Sequence, residues 1–360
     1  MSNGPKNASL SGDGFRFYRW TDALTGKETD VLSVTSIRKL CGEPINLVNW
    51  QLANIADAAL GTMKRTVIGP RGGAKEKRLI EEYPCEFAVM YDEAQGEQSK
   101  IDDLRRWLRE SADQPRNIAA VRGTIVHEAI EKNVPWDLIE QPYVEAAFGR
   151  LSSRDQKGMK KGVQEEDVHF VRNAVRQYWD MRNSLPFIII AREVQVFNLE
   201  AGYAGQFDAL VWLLGEFDAE GNFVPTVDRS RVPKAREITV DTIRELGGML
   251  ILVDWKTSTD IHTDQVVQAH AYMSAEFVGT DGVIDHRLTD LLAAATTGAL
   301  VHIRPNKWGF HMFDWEPEVV RAFLGSVAFA RFLAKYRDPQ ALFTHEFVGE
   351  SAEVDEEVEA

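Results

Sequence analysis

The sequence predicts an α/β fold, a mixed central β-sheet flanked by helices, preceded by a mostly helical N-terminal region. Three observations predict it. Two stretches of helical periodicity, at 117–132 and 167–183, are followed by a run rich in Ile and Val at 187–197 and its hairpin partner at 203–214. The near-continuous apolar octet at 249–256 (MLILVDWK) has the composition of a strand buried on both faces. Helical and strand-like segments then alternate again, the pattern of a sheet covered by helices.

Element by element, residues 15–20 (FRFYRW) and 30–34 flank a turn-rich DALTGKE and predict a β-hairpin. Ser33 or Ser36 is placed to cap a following helix, and 47–60 (LVNWQLANIADAAL) spaces its apolar residues helically. Residues 66–78, rich in Gly and bases, read as a mobile loop, and helices are expected over 79–93 and 99–111. The runs at 187–197 and 203–214 pair across an NLEAG turn. Residues 215–248 are polar, with two prolines, and read as an insertion. Helices are expected over 263–277 and 286–295, strands at 299–304 and 309–314 around the turn RPNKWG, and a last helix over 316–336. Three regions result: 1–115, a hairpin and helices; 116–340, the sheet-containing core with its 215–248 insertion; and 341–360, an acidic tail expected to be disordered.

The 360 residues are 44% hydrophobic and 27% charged, as in ordinary globular proteins, and no apolar run is long enough to span a bilayer. The polar first ten residues lack a signal-peptide pattern. Cys41 and Cys85 are the only cysteines, which excludes a disulfide scaffold and the four thiolates of an iron–sulfur cluster, and points to a reducing compartment. A net charge of −14 argues against a nonspecific nucleic-acid coat, but half of that excess lies at 346–359. Basic clusters remain at Lys64, Arg65, Arg71, Lys75, Lys77 and Arg78, and at Arg150, Arg154, Lys157, Lys160 and Lys161; a solvated surface explains them better than a nucleic-acid contact does.

The chemistry concentrates where the octet ends. Residues two apart on a strand share a face, so Asp254 and Lys256 project together. An acid and a lysine at the end of a buried strand must pair or bind something. A plain ion pair at the strand terminus would satisfy them. Asp208 lies among Phe207, Ala209 and Val211 on the preceding strand, where an edge carboxylate facing solvent is the simple alternative. His127 follows Gly123 by one helical turn, and a lone helical His is most often structural. Gln268 and Tyr272 stand at i and i+4, hence on one helix face, where a tyrosine alone is more often a core residue with a satisfied hydroxyl.

Taken in this chain order, G-T-I-V-H at 123–127, G-Q-F-D at 205–208, D-W-K at 254–256 and Q-A-H-A-Y at 268–272 resemble the RecB-like branch of the PD-(D/E)XK nuclease superfamily, across roughly residues 116–315. S-V-T-S-I at 33–37 and L-V-N-W at 47–50 are similar, less specifically, to the start of phage-encoded members. Ser258 stands where many relatives have Gly, and the cluster-binding cysteines of CRISPR-associated and repair-complex relatives are missing. The resemblance therefore implies a PD-(D/E)XK core without an iron–sulfur cluster. It implies Mg²⁺ or Mn²⁺ held by His127, Asp208, Asp254 and the backbone carbonyl of Trp255. Lys256 would position or deprotonate the attacking water and offset charge at the phosphate. Glu193 is a further candidate ligand or water holder, with a solvent-facing strand residue as the alternative. Gln268 and Tyr272 would orient Lys256 or touch the DNA backbone, with the Tyr272 ring offered to a base.

The implied activity is a metal-dependent deoxyribonuclease, an exonuclease on single-stranded or frayed DNA ends serving recombination, replication or repair. The implied location is a bacterial or phage-infected host cytoplasm. The N-terminal helices and the basic 64–78 segment would wall a DNA channel. The alternatives are a catalytically inactive nucleic-acid-binding module on the same fold and a structure-specific endonuclease. No ATPase motif is present, so a helicase or recombinase partner would supply any unwinding.

Overall fold

The computed structural model describes residues 8–10, 16–40, 55–56, 59, 62–68, 74–80, 86–94, 97–156 and 162–335. The helix expected at 47–60 falls largely outside them, as do Cys41, Cys85, Lys157, Lys160, Lys161 and the 341–360 tail.

Strands β1 (Ala8–Leu10), β2 (Arg16–Thr21) and β3 (Glu28–Ser33) lead into helix α1 (Val34–Leu40). Ser33 caps α1: its Oγ accepts the Ser36 N–H at 3.0 Å, one of the donors a helix start leaves unpaired. Strands β4 (Thr62–Ile68) and β5 (Ala74–Ile80) pair antiparallel along their whole length, so the segment expected as a mobile loop is a hairpin. Helix α2 (Glu86–Ala94) precedes α3 (Gln98–Glu131), a single 34-residue helix that takes in Pro115. The separate helices expected at 99–111 and 117–132 are thus one, and it crosses the boundary drawn at 115. With five strands among its described residues, the N-terminal region is less helical than its sequence predicts.

Helices α4 (Gln141–Gly149), α5 (Ser153–Gln156) and α6 (Glu165–Ser184) follow. Strands β6 (Phe187–Asn198) and β7 (Tyr203–Leu213) form the long hairpin. The expected insertion holds a small hairpin, β8 (Gly215–Phe217) with β9 (Phe223–Pro225), and helix α7 (Val240–Leu246). Next come β10 (Met249–Lys256) and α8 (Thr263–Met273). The helix expected to reach 277 stops at Met273, because Phe277 starts β11 (Phe277–Thr280), which pairs with β6. Strand β12 (Val283–Ile284), α9 (His286–Ala294), β13 (Thr297–Arg304), β14 (Lys307–Asp314) and α10 (Pro317–Lys335) complete the described chain.

Ten strands form one mixed sheet with the path β1-β2-β3-β7-β10-β13-β14, and β6 lies against β7 with β11 and β12 beyond it. Strand β10 runs antiparallel to β7 and parallel to β13. Its alternation fills both faces. Leu250 and Leu252 join a core with Val34 and Ile37 of α1, Ala271 of α8 and Phe323 of α10. Ile251, Val253 and Trp255 join another with Ile125 and Ala129 of α3 and Val175 and Tyr178 of α6. Both faces are covered, which is why this strand reads as an unbroken apolar run.

One topological detail positions the site. Two strands share the edge of β7 that faces away from β6. Strand β10 takes residues 209–213 and β3 takes residues 203 and 204. Residues 205–208 pair with neither, so the sheet forks there, between α3 on one side and α8 on the other.

Candidate functional site

The fork is where the singled-out residues meet. Asp254 and Lys256 share the face of β10 that carries Leu252, at the point where pairing with β7 has stopped but pairing with β13 continues. Asp208 sits at the unpaired stretch of β7, and its Oδ2 accepts the Trp255 backbone N–H at 2.6 Å, replacing the missing ladder bond. His127 Nδ1 approaches Asp208 Oδ1 at 3.4 Å. The Lys256 ammonium pairs with Asp254 Oδ2. That buried oxygen receives no directed hydrogen bond from any described residue.

Two glycines explain how the flanking helices come so close. A methyl group at Gly123 would stand 2.6 Å from Thr257 Oγ1, so only Gly lets α3 lie against the segment leaving β10 and bring His127, one turn on, to Asp208. A methyl at Gly205 would overlap Cε1 of Tyr272. The first residues of G-T-I-V-H and G-Q-F-D are therefore contact points for the elements that frame the fork.

The electrostatics are those of a crowded charge cluster. Burial pushes the Asp254 carboxyl up to about 6, the neighbouring Lys256 working against that rise and Asp208 adding to it. Burial also opposes ionisation of Asp208, yet His127 and then Lys256 hold it below the usual carboxylate range. Burial disfavours the charged His127 ring, but the carboxylates of Asp208 and Asp254 raise its basicity above the ordinary value. The two carboxyls are pushed in opposite directions, Asp254 up and Asp208 down, as expected of neighbouring acids that cannot both ionise at low cost.

Glu193 stands in β6 between the pairs Arg192↔Ala209 and Val194↔Phe207, hence opposite Asp208. Its backbone is left-handed, with φ 49°, which breaks the alternation of the strand. Gln206 donates a hydrogen bond to its carboxylate. Burial, then Asp208, push the Glu193 carboxyl up to about 7. It is part of the cluster.

Gln268 and Tyr272 border the fork without reaching into it as expected. The Gln268 amide donates to the Tyr272 hydroxyl at 2.8 Å and to Thr35 Oγ1 at 3.2 Å. The Tyr272 ring is 3% exposed, packed on Gly205, Phe207 and Val34, so no face is open for a base to stack on. Two participants went unmarked in the sequence: Gln206, inside G-Q-F-D, and Thr35, inside S-V-T-S-I. Trp255 contributes its N–H to Asp208, and its ring packs edge-on against Tyr178 at 5.6 Å. Arg150, from a basic cluster, is tied instead to buried Glu128 beside Lys132.

Among the described residues no three His, Cys, Asp or Glu side chains stand as a ready-made metal site. None of the described helices is long and apolar enough to cross a membrane. No protein-family model matches the chain, and no curated protein sequence matches it.

Proposed function

We propose that this chain is a divalent-metal-dependent nuclease with a PD-(D/E)XK-type core, acting on DNA from single-stranded or frayed ends. One observation carries the reading: Asp208, partly buried, and Asp254, buried, are brought together at the fork with His127 on one side and Lys256 on the other. Two carboxyls in that setting remain partly protonated unless a cation joins them. The donor chemistry fits a hard divalent ion, and the Asp254 oxygen without a directed hydrogen bond is a free ligating position once Lys256 withdraws. His127, Asp208 and Asp254, with the Trp255 carbonyl, would hold Mg²⁺ or Mn²⁺, which supplies Lewis-acid polarisation of a phosphoryl oxygen and activation of water.

The chain's own residues then have distinct tasks. Lys256 turns its ammonium from Asp254 to the phosphate or the attacking water, offsetting developing negative charge. Glu193 accepts a proton from a water at the fork, its carboxyl already tuned close to neutrality. Gln268 and Tyr272 act as positioning residues that fix α8 against β7.

End-labelled linear single strands and closed single-stranded circles, each incubated with Mg²⁺ or Mn²⁺, test the reading. Wild type should degrade the linear strand and spare the circle, and Asp254→Ala should be inert on both. Circle cutting would make the enzyme an endonuclease. Absence of cleavage by wild type, or full cleavage by Asp254→Ala, would overturn the proposal.

A second reading is favoured by the Lys256–Asp254 ion pair and the Asp208–Trp255 bond, which together are a complete structural strut. In an inactive nucleic-acid-binding module these contacts serve stability alone. Breaking the pair from one side would then cost about 3–5 kcal/mol, while metal ions changed nothing.

A further inference from the structure

Beside the fork, on the same sheet face, lies a cavity of about 320 Å³ lined by His302, His311, Lys307 and residues 259–261. The register builds it. His302 on β13 is the partner of Lys256, and Gly309 on β14 is the partner of His302. A methyl at Gly309 would stand 2.5 Å from His311 Nε2, so the glycine is what lets the His311 ring lie back toward His302, with ring centroids 6.4 Å apart. His302 Nε2 is engaged by the Ser258 carbonyl at 2.6 Å, which fixes that ring and leaves its other nitrogen free of that bond. Lys307, at the tip of the β13–β14 turn, completes a cluster of three basic side chains. None of the three forms an ion pair among the described residues, and Asp260 is the one carboxylate in the lining. Burial, then His302 and Lys307, lower the basicity of His311, as expected where bases are gathered close together.

We propose that this cavity binds a phosphate group, and, resting on the nuclease reading, that the group belongs to the strand being cut. Adjacent strands are about 4.8 Å apart, so β14 stands roughly 10 Å from β10, within reach of a neighbouring phosphate on one nucleic-acid chain. Asp260 limits the net positive charge, so the cavity suits one phosphodiester better than a multiply charged terminal phosphate. Lys307 supplies a point charge and the His311 ring a directed N–H donor, while His302, whose Nε2–H is held by the Ser258 carbonyl, offers a second N–H only as a protonated ring.

Histidine-labelled full-length protein, without divalent cations, allows the rings of His302 and His311 to be followed by NMR. Two probes are titrated at constant ionic strength, inorganic phosphate and a 12-nucleotide single strand. Both rings should shift saturably with at least one probe. Lys307→Glu should suppress the shift, and Lys307→Ala should lower the salt slope of strand binding by about one. Lys307 is exposed, so both variants should keep the wild-type melting temperature. If the strand binds while neither probe moves these rings, the cavity assignment is wrong and the nuclease reading stands. If phosphate moves the rings but no strand binds, the cavity assignment holds and the DNA reading fails. If neither probe moves the rings and no strand binds, both fail.

Discussion

At Glu193 a left-handed backbone and a half-buried carboxyl coincide. Each is unfavourable for a non-glycine strand residue, and such positions cluster where structure is held for function. The pH consequence has a definite sign. The folded-state value is raised, so the associated stability is fully present below the unfolded value and is lost as pH rises through about 7. Without divalent cations, Glu193→Gln should melt like wild type near pH 4.5 and be more stable by roughly 1–3 kcal/mol near pH 8, allowing for partial exposure. Equal pH dependence of the two proteins would remove Glu193 from the cluster. Lys256→Ala should keep the fold and lower turnover by about two to three orders of magnitude, read by single-turnover cleavage. Asp254 and Lys256 were legible because period two puts them on one face whatever surrounds them. Glu193's geometry was not, since a positive φ at a non-glycine residue leaves no trace in residue identity. The burial of Tyr272 was legible as the core reading of a lone tyrosine, but its partner Gly205, far away in sequence, was not.

Helix α3 carries the next prediction. Its Gly123 meets Thr257 Oγ1, but Thr257 Cβ lies 3.9 Å from the same position. Gly123→Ala should therefore push α3 outward and separate His127 from Asp208, reducing cleavage at least tenfold. Adding Thr257→Ala should restore activity, and the double variant should exceed wild type in stability by up to about 1 kcal/mol, the helix gain of Ala over Gly. A double-mutant cycle on cleavage and melting measures the coupling. Additive losses would show that the contact does not position the site.

The elements themselves were unevenly readable. Strands β6, β7, β10 and β13 were recognisable from their apolar content, because burial on a face dictates composition, and β14 from its place after the turn RPNKWG. The hairpin β4–β5 was obscured: TMKRTVI and AKEKRLI are too basic to show apolar alternation, and their pairing is set by the partner strand. Strand β11 is only four residues long, and its F-V-G-T continues the apolar spacing of the preceding helix. The single helix α3 hid its length in the sequence, because it runs through Pro115, a residue that removes one backbone bond of the helix ladder.

For the whole molecule, site occupancy and stability are linked. A cation that joins Asp208 and Asp254 binds the folded chain alone, so at a concentration 100 times its Kd it adds about 2.7 kcal/mol. Thermal melts in Mn²⁺ should rise for wild type and for Lys256→Ala, and stay flat for Asp254→Ala. A shift retained in Asp254→Ala would place the ion elsewhere. The α/β class and the helix-covered sheet were legible in the order of segments. The fork was not, because it depends on which strand claims each half of the β7 edge, a choice made by the assembled fold.

The sharing of that edge also has a temporal side. Leu32 and Ser33 take their partners, Tyr203 and Ala204, from a strand made far later in the chain. During synthesis the β2–β3 hairpin must therefore wait, its outer backbone groups unmatched, until β7 leaves the ribosome. Nascent chains stalled before residue 200 should be cut readily by protease within 16–33, and chains stalled well past β7 should resist. The ladder between β3 and β7 can close before β10, which carries Asp254 and Lys256, has been made, so the charge cluster is completed only when the later strands join the sheet.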